Sequence, residues 1–350
     1  MITRSIHTDM PTRRGRRGLL AIPICTSALL AGCTGSPPDP SPSPSGSIGA
    51  EIPVDDVTAM LPTNPEADLP DMDQAAWQQL RQDAASVPWK MVSAAGVEQA
   101  VACIGQGAPT VVYLDGWSSN AAVSWSQAAV AQSRSNRVCL YDRAGDGLSP
   151  ARAGAAALPT SEDPMPGWAP VQHAREMLAM LQVLGEPGPY LVTGWSYGGL
   201  VARTAAAHHP EKVAGMVLVD ATSPLQQPND GDVGPIAAPS VGEGPDMGNR
   251  PVIVLQAERL GWWPAAGRPF VDAPEDRQKR RTDLQLQAAT ISDNSLHAVV
   301  DDSYHDIPIR HPAAVVAATT AVSESIRAGN ATLPPCPDDL ITAGGRCTEG

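Results

Sequence analysis

The chain has 350 residues, of which 43% are hydrophobic, and it carries a formal net charge of -13 at pH 7. This acidic balance argues against a nucleic-acid-binding protein, because such a protein needs a basic face toward the phosphates. The length is enough for one large domain with appendages or for two small domains.

The first 33 residues have the parts of a secretory signal. Four arginines between positions 13 and 17 precede a largely apolar run over residues 19–30, and the sequence LAGC then ends at Cys33. The run is too short to span a bilayer as a helix, but it suits the apolar region of a signal peptide. The LAGC ending resembles the lipobox of bacterial lipoproteins, in which the cysteine is lipidated and becomes the mature N-terminus.

This resemblance implies a location for the protein. We expect Cys33 to anchor it in the membrane, at the outer face of the bacterial cytoplasmic membrane. The RRGLL run at residues 16–20 resembles a twin-arginine export signal, and export by either the Sec or the twin-arginine route stays open.

The residues after Cys33 predict a tether and then a large domain. Residues 36–49 consist mainly of Pro, Ser and Gly, which cannot bury a core and favour an extended linker. Residues 51–73 are rich in Pro and Asp without a sustained period, and we expect them to be irregular. The predicted organisation is a signal peptide over residues 1–32, an anchor and tether over 33–75, a domain over 76–330 and a tail over 331–350.

Short apolar runs alternate with helical patterns through the large domain. Such runs suit strands that are buried on both faces of a parallel sheet. Residues 172–184 and 200–209 have helical patterns, and they end at Gly185 and Pro210. The order predicts an α/β fold with a mostly parallel sheet. The predicted strands lie at residues 110–114, 137–141, 190–193, 215–219, 251–255 and 296–300, and the last helix lies at residues 313–327.

Four cysteines remain beyond the signal and the anchor. Cys336 and Cys347 bracket a Pro- and Gly-rich tail and are expected to close a local loop. Cys103 and Cys139 lie beside or within predicted strands and would then pair with each other. An oxidising compartment outside the cytoplasm permits both disulfides.

The sequence GWSYG at residues 194–198 follows a predicted strand and precedes a predicted helix. A G-x-S-x-G pattern in this position is typical of a nucleophile elbow, a turn so tight that glycines must flank the serine. We therefore predict that Ser196 is a catalytic nucleophile. Because serine is a weak nucleophile without a base, a histidine must accompany it.

His305 is the favoured base. It lies in a predicted loop between the last strand and the last helix, from which it can reach back over the sheet edge to the serine. The third member of such a site is a carboxylate that orients the histidine. Asp220, at the end of one predicted strand, and Glu258, just past the next, both fit the chain order serine, acid, histidine.

An oxyanion hole requires two backbone N–H groups that point at the developing negative charge. One is expected from Tyr197, the residue after the serine. The other is expected from the loop after the strand at residues 110–114, where Trp117 is the favoured donor.

Taken together, these motifs resemble an α/β-hydrolase-fold serine hydrolase. The sequence YDRAGDGLS at residues 141–149 resembles the Y-D-R-x-G-x-G-x-S loop of many esterase- and peptidase-like members, and the serine and histidine regions also match. The resemblance covers about residues 89–327 and implies a triad of Ser196, His305 and an acid, with no cofactor and no metal. Residues 221–250, where lids are inserted, predict a short or absent cap.

Three positions depart from the family pattern. Asp115 stands where a histidine is usual, Trp195 precedes the serine where His or Asp is common, and Leu260 occupies a common position of the acid. The last departure favours Asp220 over Glu258. The predicted function is an exported, lipid-anchored serine hydrolase that cleaves a small-molecule ester or amide. The alternatives are a binding lipoprotein that lost its chemistry and an aminopeptidase-like member.

Overall fold

The computed structural model of the chain describes residues 46–62, 72–117, 119–152, 169–225, 244–260 and 273–348. The predicted signal peptide and Cys33 lie outside these residues. Most of the segment expected to carry a short cap, residues 226–243, also lies outside them.

An open sheet of ten strands forms the centre of the described domain, in the order β1-β2-β3-β5-β4-β6-β7-β8-β9-β10. Strands β5, β4, β6, β7, β8 and β9 are parallel, whereas the β1–β2, β2–β3, β3–β5 and β9–β10 pairs are antiparallel. The strands are β1 (Gly46–Glu51), β2 (Lys90–Ala94), β3 (Val97–Ile104), β4 (Val111–Leu114), β5 (Val138–Tyr141), β6 (Tyr190–Trp195), β7 (Val213–Val219), β8 (Val252–Ala257), β9 (Ser295–Val300) and β10 (Gly345–Cys347).

The six predicted strands are confirmed as β4 to β9. Every residue of β4, β5, β6 and β8 is buried, as the continuous apolar runs indicate. Side chains alternate between two apolar clusters on opposite faces of the sheet. Val111 and Tyr113 of β4 belong to one cluster, and Val112 and Leu114 belong to the other.

Helices cover both faces of the sheet. Leu80, Ala128 and Val315 come from helices on one face, while Met177 and Leu200 come from helices on the other. The helices are α1 (Val54–Ala59), α2 (Gln74–Ser86), α3 (Ala121–Ser124), α4 (Ser126–Gln132), α5 (Ala169–Val183), α6 (Tyr197–His208), α7 (Glu275–Ala289), α8 (Ile307–Arg310), α9 (Pro312–Arg327) and α10 (Asp338–Thr342). Within the described ranges, no helix is long and apolar enough to cross a bilayer.

Part of the segment predicted as a tether, residues 33–75, belongs to the sheet, because β1 lies within it. β1 pairs with β2 through backbone hydrogen bonds, which leave no side-chain pattern in the sequence. All six β1 residues are exposed. The irregular assignment of residues 51–73 is wrong for α1, where Val57 packs into the core.

Both predicted disulfides are present. Cys103 and Cys139 face each other across the antiparallel pair of β3 and β5, and they are bonded. Cys336 and Cys347 are bonded within the tail. The tail also contributes α10 and β10, which the sequence analysis did not predict. β10 pairs with β9 at the edge of the sheet.

Candidate active site

Ser196 occupies the sharp turn between β6 and α6, as the G-x-S-x-G pattern predicts. Its backbone has φ 53° and ψ -121°, a conformation that costs free energy for a residue with a side chain. Two neighbouring segments hold the turn in place. The Ser196 N–H donates to the carbonyl of Val219, and the N–H of Thr222 donates to the Ser196 carbonyl.

Glycine is required on both sides of the serine because backbone approaches too closely for a side chain. A Cβ at Gly194 would lie 2.5 Å from the carbonyl oxygen of Gly198. A Cβ at Gly198 would overlap the carbonyl of Leu114, at the end of β4. The spacing of the pattern therefore has a steric cause, and it brings the start of α6 against the end of β4.

His305 and Asp220 are in direct contact. The Nδ1–H of His305 donates to Oδ2 of Asp220 at 2.6 Å. His305 lies in the turn between β9 and α8, the loop in which it was predicted. Its ring packs on Trp195 with centroids 5.4 Å apart, and Trp195 Nε1 donates to the His305 carbonyl at 2.6 Å. Trp195, an unexpected residue at this position, therefore holds the His305 loop against the residue that precedes Ser196.

The Asp220 carboxylate is buried and has three hydrogen-bond donors. Oδ2 accepts from His305, while Oδ1 accepts from Arg281 Nη2 and from the N–H of Ala257 at 3.3 Å. Burial alone would raise the pKa of Asp220. The positive charge of Arg281 and the hydrogen bond from His305 outweigh burial and lower that pKa below its usual value. Asp220 is therefore ionised and can accept a hydrogen bond from the Nδ1–H of the imidazole.

Glu258 occupies a different position. One carboxylate oxygen accepts from the N–H of Asp302, and the other faces Arg346 at 3.5 Å on the surface. Of the two candidate acids, the structure thus places Asp220 on His305 and Glu258 in a surface ion pair.

The two predicted oxyanion residues, Tyr197 and Trp117, lie next to each other. Their rings meet edge to face, with centroids 5.1 Å apart. Arg143 determines how the peptide before Trp117 is oriented, because its guanidinium donates to the carbonyls of Asp115 and Gly116. In a trans peptide the C=O and N–H point in opposite directions. The Trp117 N–H therefore points away from Arg143.

Two buried aspartates support this arrangement, Asp142 in the Y-D-R loop after β5 and Asp115 in the loop after β4. Asp142 accepts from the N–H groups of Ala121 and Leu148, while Asp115 accepts from the N–H of Gly116 at 2.9 Å. Burial raises the pKa of each aspartate to about 7. Both carboxyls are therefore partly protonated near neutral pH.

Tyr197 also contacts a half-buried histidine on α5. Its hydroxyl lies 3.0 Å from His173 Nδ1, and the Arg143 guanidinium lies over its ring. Burial, together with the charges of Arg143 and Arg152, lowers the pKa of His173 to about 3. His173 is neutral at physiological pH, so it suits a fixed hydrogen bond better than proton transfer.

The sequence analysis did not identify Arg281, Arg143 or His173 as parts of the site. Arg281 lies in a strongly charged stretch where nothing in the residue itself separates it from Arg280. Helix phase is the one signal that was available. Leu284, Gln285 and Ala288 follow Arg281 by three, four and seven residues and share its buried face.

Comparison with known proteins supports the fold. Residues 109–240 match the α/β hydrolase fold family. The lip1 protein of Acinetobacter baumannii AYE superposes with a TM-score of 0.50 at 12% identity, over 74% of this chain and 99% of that one. A bacterial membrane phospholipase A superposes with a TM-score of 0.50 at 15% identity, over 72% of this chain and 90% of that one. Together with the sheet order, these matches confirm the α/β-hydrolase fold.

Curated relatives match a shorter stretch of the chain. The pimeloyl-[acyl-carrier protein] methyl ester esterase of Chromobacterium violaceum is 38% identical over 126 residues, which cover 35% of this chain and 41% of that protein. The esterase of the same name from Vibrio cholerae is 36% identical over 122 residues, covering 34% of this chain and 39% of that protein. The chain thus spans about two fifths of the length of these relatives.

Proposed function

We propose that the protein is a serine hydrolase that cleaves carboxylic esters through an acyl-enzyme intermediate. The observation that carries the proposal is the hydrogen bond between His305 Nδ1 and Asp220 Oδ2, beside a serine held at φ 53° on the strand–helix turn. This combination supplies a nucleophile, a base and the acid that orients the base. The names of the curated relatives, which are ester hydrolases, support an ester rather than an amide as the substrate.

The geometry leads to a two-step reaction. Because Asp220 accepts a hydrogen bond from Nδ1–H, the proton of the neutral imidazole stays on Nδ1. The lone pair is then on Nε2, which is the base for the Ser196 hydroxyl. Ser196 Oγ attacks the ester carbonyl carbon as its proton passes to His305, and the negative charge forms on the carbonyl oxygen. His305 then returns the proton to the leaving alcohol. Water repeats the sequence on the acyl-enzyme, which releases the acid and restores the serine.

The N–H groups of Tyr197 and Trp117 are the proposed donors to the negative oxygen. Tyr197 begins α6, so its N–H belongs to the free N–H groups at the start of a helix, where negative charge is favoured. The Arg143 contacts direct the Trp117 N–H away from the Y-D-R loop. Such donors are each worth about 10²–10³ in kcat in enzymes of this kind.

We further propose that the protein is exported and lipid-anchored through Cys33. The basic residues, apolar run and LAGC ending of residues 13–33 support this proposal. The disulfides Cys103–Cys139 and Cys336–Cys347 also support it, because disulfides persist in oxidising compartments.

A fluorophosphonate probe tests the nucleophile. We expect the probe to label the wild-type protein and to leave Ser196→Ala unlabelled, because the reagent reacts only with an activated serine. Ser133→Ala is the matched control, since the Ser133 hydroxyl only donates to the carbonyl of Val130 at the end of α4. Equal labelling of Ser196→Ala and wild type would show that the proposed nucleophile is wrong.

The same assay separates the two acids and the two substrate classes. Asp220→Asn is expected to slow labelling and the hydrolysis of p-nitrophenyl acetate by about 10³–10⁴, because the histidine loses the partner that fixes its tautomer. Glu258→Gln should hydrolyse the ester at a rate near that of the wild type.

A matching p-nitroanilide panel distinguishes an amidase from an esterase. A folded wild-type protein that neither labels nor hydrolyses any member of the panels would support the binding lipoprotein instead.

A further inference from the structure

A buried arginine lies on the far side of the Asp220 carboxylate from the histidine. Arg281 belongs to α7, and its side chain is 7% exposed, while that of Asp220 is 2% exposed. Its Nη2 donates to Oδ1 of Asp220, and its Nη1 donates to the carbonyl of Ala257 at 3.0 Å. A serine, histidine and aspartate can act together without such a cation. The triad alone therefore does not explain why an arginine is buried at this position.

Polar contacts on the same face of α7 fix Arg281 against the sheet. Thr282 Oγ1 accepts from Gln256 Nε2 at 3.0 Å, and Gln285 Nε2 donates to the carbonyl of Ala221 at 2.9 Å. These bonds join the helix to the end of β8 and to the residue after Asp220. The guanidinium thus has a defined place relative to both strands that carry the site.

The two oxygens of Asp220 are divided between different partners. Oδ1 accepts from Arg281 and from the N–H of Ala257, and Oδ2 accepts from His305. The Asp220 backbone is itself held at φ 43°, with its N–H donating to the carbonyl of Leu255. Rotation of the carboxylate would break the Arg281 contact, so the arginine keeps Oδ2 directed at the imidazole.

We propose that Arg281 is a positioning residue of this site. It keeps the Asp220 carboxylate directed at His305 and offsets part of the negative charge of that carboxylate. This proposal rests on the hydrolase function proposed above. A carboxylate makes a neighbouring imidazole more basic, and a cation on the other side of the carboxylate opposes this effect. The consequence is that Oδ2 stays directed at Nδ1 and that the imidazole faces a carboxylate whose charge is partly offset.

Other titratable groups also face the Asp220–His305 pair. His297 on β9 lies close enough to Arg281 to sense its charge, and Gln256 and Thr348 hydrogen-bond to its ring nitrogens. Asp306 is next in sequence to His305 and pairs with Arg310 at 2.7 Å. Glu258 lies toward Arg346 on the surface. A substitution at position 281 leaves all of these groups in place, so a comparison of variants isolates the arginine.

The test is the pH profile of p-nitrophenyl acetate hydrolysis by Arg281→Met. We expect the acidic limb of kcat/KM to move up by about one pH unit, because the carboxylate charge is no longer offset. At pH 8 we expect kcat to fall about 10–100-fold with KM changed less than about threefold, since the loss is one of positioning. Arg280→Met removes the same charge one residue away, at an exposed position, and should reproduce the wild-type profile.

Arg281→Lys separates charge from geometry. Lysine keeps the positive charge but lacks the planar guanidinium that donates to both Asp220 Oδ1 and the Ala257 carbonyl. We therefore expect kcat to fall while the acidic limb of kcat/KM stays within about 0.3 pH units of wild type. If circular dichroism shows that Arg281→Met does not fold, the kcat of the Arg281→Lys variant tests the positioning role instead. Wild-type kcat in a folded Arg281→Lys, or an unshifted acidic limb in a folded Arg281→Met, would overturn the proposal.

A measurement without turnover distinguishes this proposal from the proposed function. In the Ser196→Ala background, NMR can follow the ring protons of His305 through a pH titration with and without Arg281→Met. We expect the titration midpoint to rise by about one pH unit on removal of the arginine. If the hydrolase function is wrong, activity is absent but this shift remains. If the role of Arg281 is wrong, activity is present and the midpoint does not move.

Discussion

At the scale of single residues, Asp115 shows how the site tolerates a departure from the family pattern. Asp115 directly precedes Gly116 and Trp117, at a position where the resemblance implies a histidine. Its side chain is buried. Oδ1 accepts from the N–H of Gly116, and Oδ2 has no hydrogen-bond partner within the described residues. The carboxyl thus shapes the turn with one oxygen, and the other is buried without compensation.

We expect Asp115→Asn to stabilise the protein in a pH-dependent way. The pKa of Asp115 is raised from 3.8 to about 7, so the folded state holds a proton that the unfolded state releases between those values. The contribution of Asp115 to wild-type stability must therefore fall as pH rises from about 4 to about 7 and stay level above that. The asparagine variant lacks this contribution. Its Tm should match wild type near pH 4.5 and exceed it by about 2–4 °C at pH 8.

Calorimetry at both pH values checks this expectation, and Asp142→Asn provides the contrast. Asp142 uses both oxygens to accept N–H groups, so an asparagine there leaves one N–H without an acceptor. Asp142→Asn should thus lower Tm at every pH. A constant Tm difference for Asp115→Asn across the pH range would contradict the assigned titration.

At the scale of elements, the site depends on one loop holding another. The Y-D-R loop after β5 contributes Arg143, which donates to two carbonyls in the loop after β4 and pairs with Asp146 at 2.6 Å. Arg137, at the opposite end of β5, makes a similar set of contacts: it donates to the carbonyls of Cys103 and Gly105 and pairs with Glu186. One arginine supports the loop after β4, and the other supports the far end of the sheet.

We expect Arg143→Lys to lower kcat by about 10–10³ with little change in KM, because the Trp117 N–H is no longer held in the orientation that serves the transition state. Steady-state kinetics on p-nitrophenyl acetate measure both constants. Arg137→Lys is the matched control and should change Tm without changing kcat. Equal kcat values for wild type and Arg143→Lys would show that the loop keeps its orientation without the guanidinium.

The elements that the sequence predicted are those with a buried pattern. β4 to β9 form largely buried runs and could be predicted, whereas β1 is exposed and only two of the five β2 residues are buried, so these two strands could not. The charged composition of α7 likewise hides its buried face. Position along the chain predicted Ser196 and His305, and the departure at Leu260 favoured Asp220 over Glu258. The side chains that surround each carboxylate, above all Arg281 beside Asp220, could not be predicted from strand order.

At the scale of the whole molecule, the proposed anchor would determine where the protein works. Membrane attachment is proposed through Cys33, which lies outside the described residues. The tether proposed for residues 33–75 is shortened by β1, since only twelve residues separate Cys33 from Gly46. A fully extended chain of that length reaches at most ~40 Å.

Partition of the protein between detergent and water tests the proposed lipid anchor. Full-length protein expressed in a bacterium with lipoprotein processing should enter the detergent phase of Triton X-114, and Cys33→Ala should remain in the aqueous phase. Cys25→Ala removes a cysteine from the apolar run without touching the lipobox, and it should behave as wild type. Detergent partition of Cys33→Ala would refute the anchor while leaving the hydrolase assignment intact.

The two edge strands of the described sheet bear on whether neighbouring molecules would pair with each other. Open sheets end in strands whose free N–H and C=O groups can pair with another molecule. Here one edge is β1, which contains Gly46 and Gly49 and shifts register against β2 between Ile48 and Glu51. The other edge is β10, which is three residues long and presents Arg346 to solvent. Irregular and charged edges discourage strand pairing, so molecules crowded in the plane of a membrane would stay separate, each with its own accessible site.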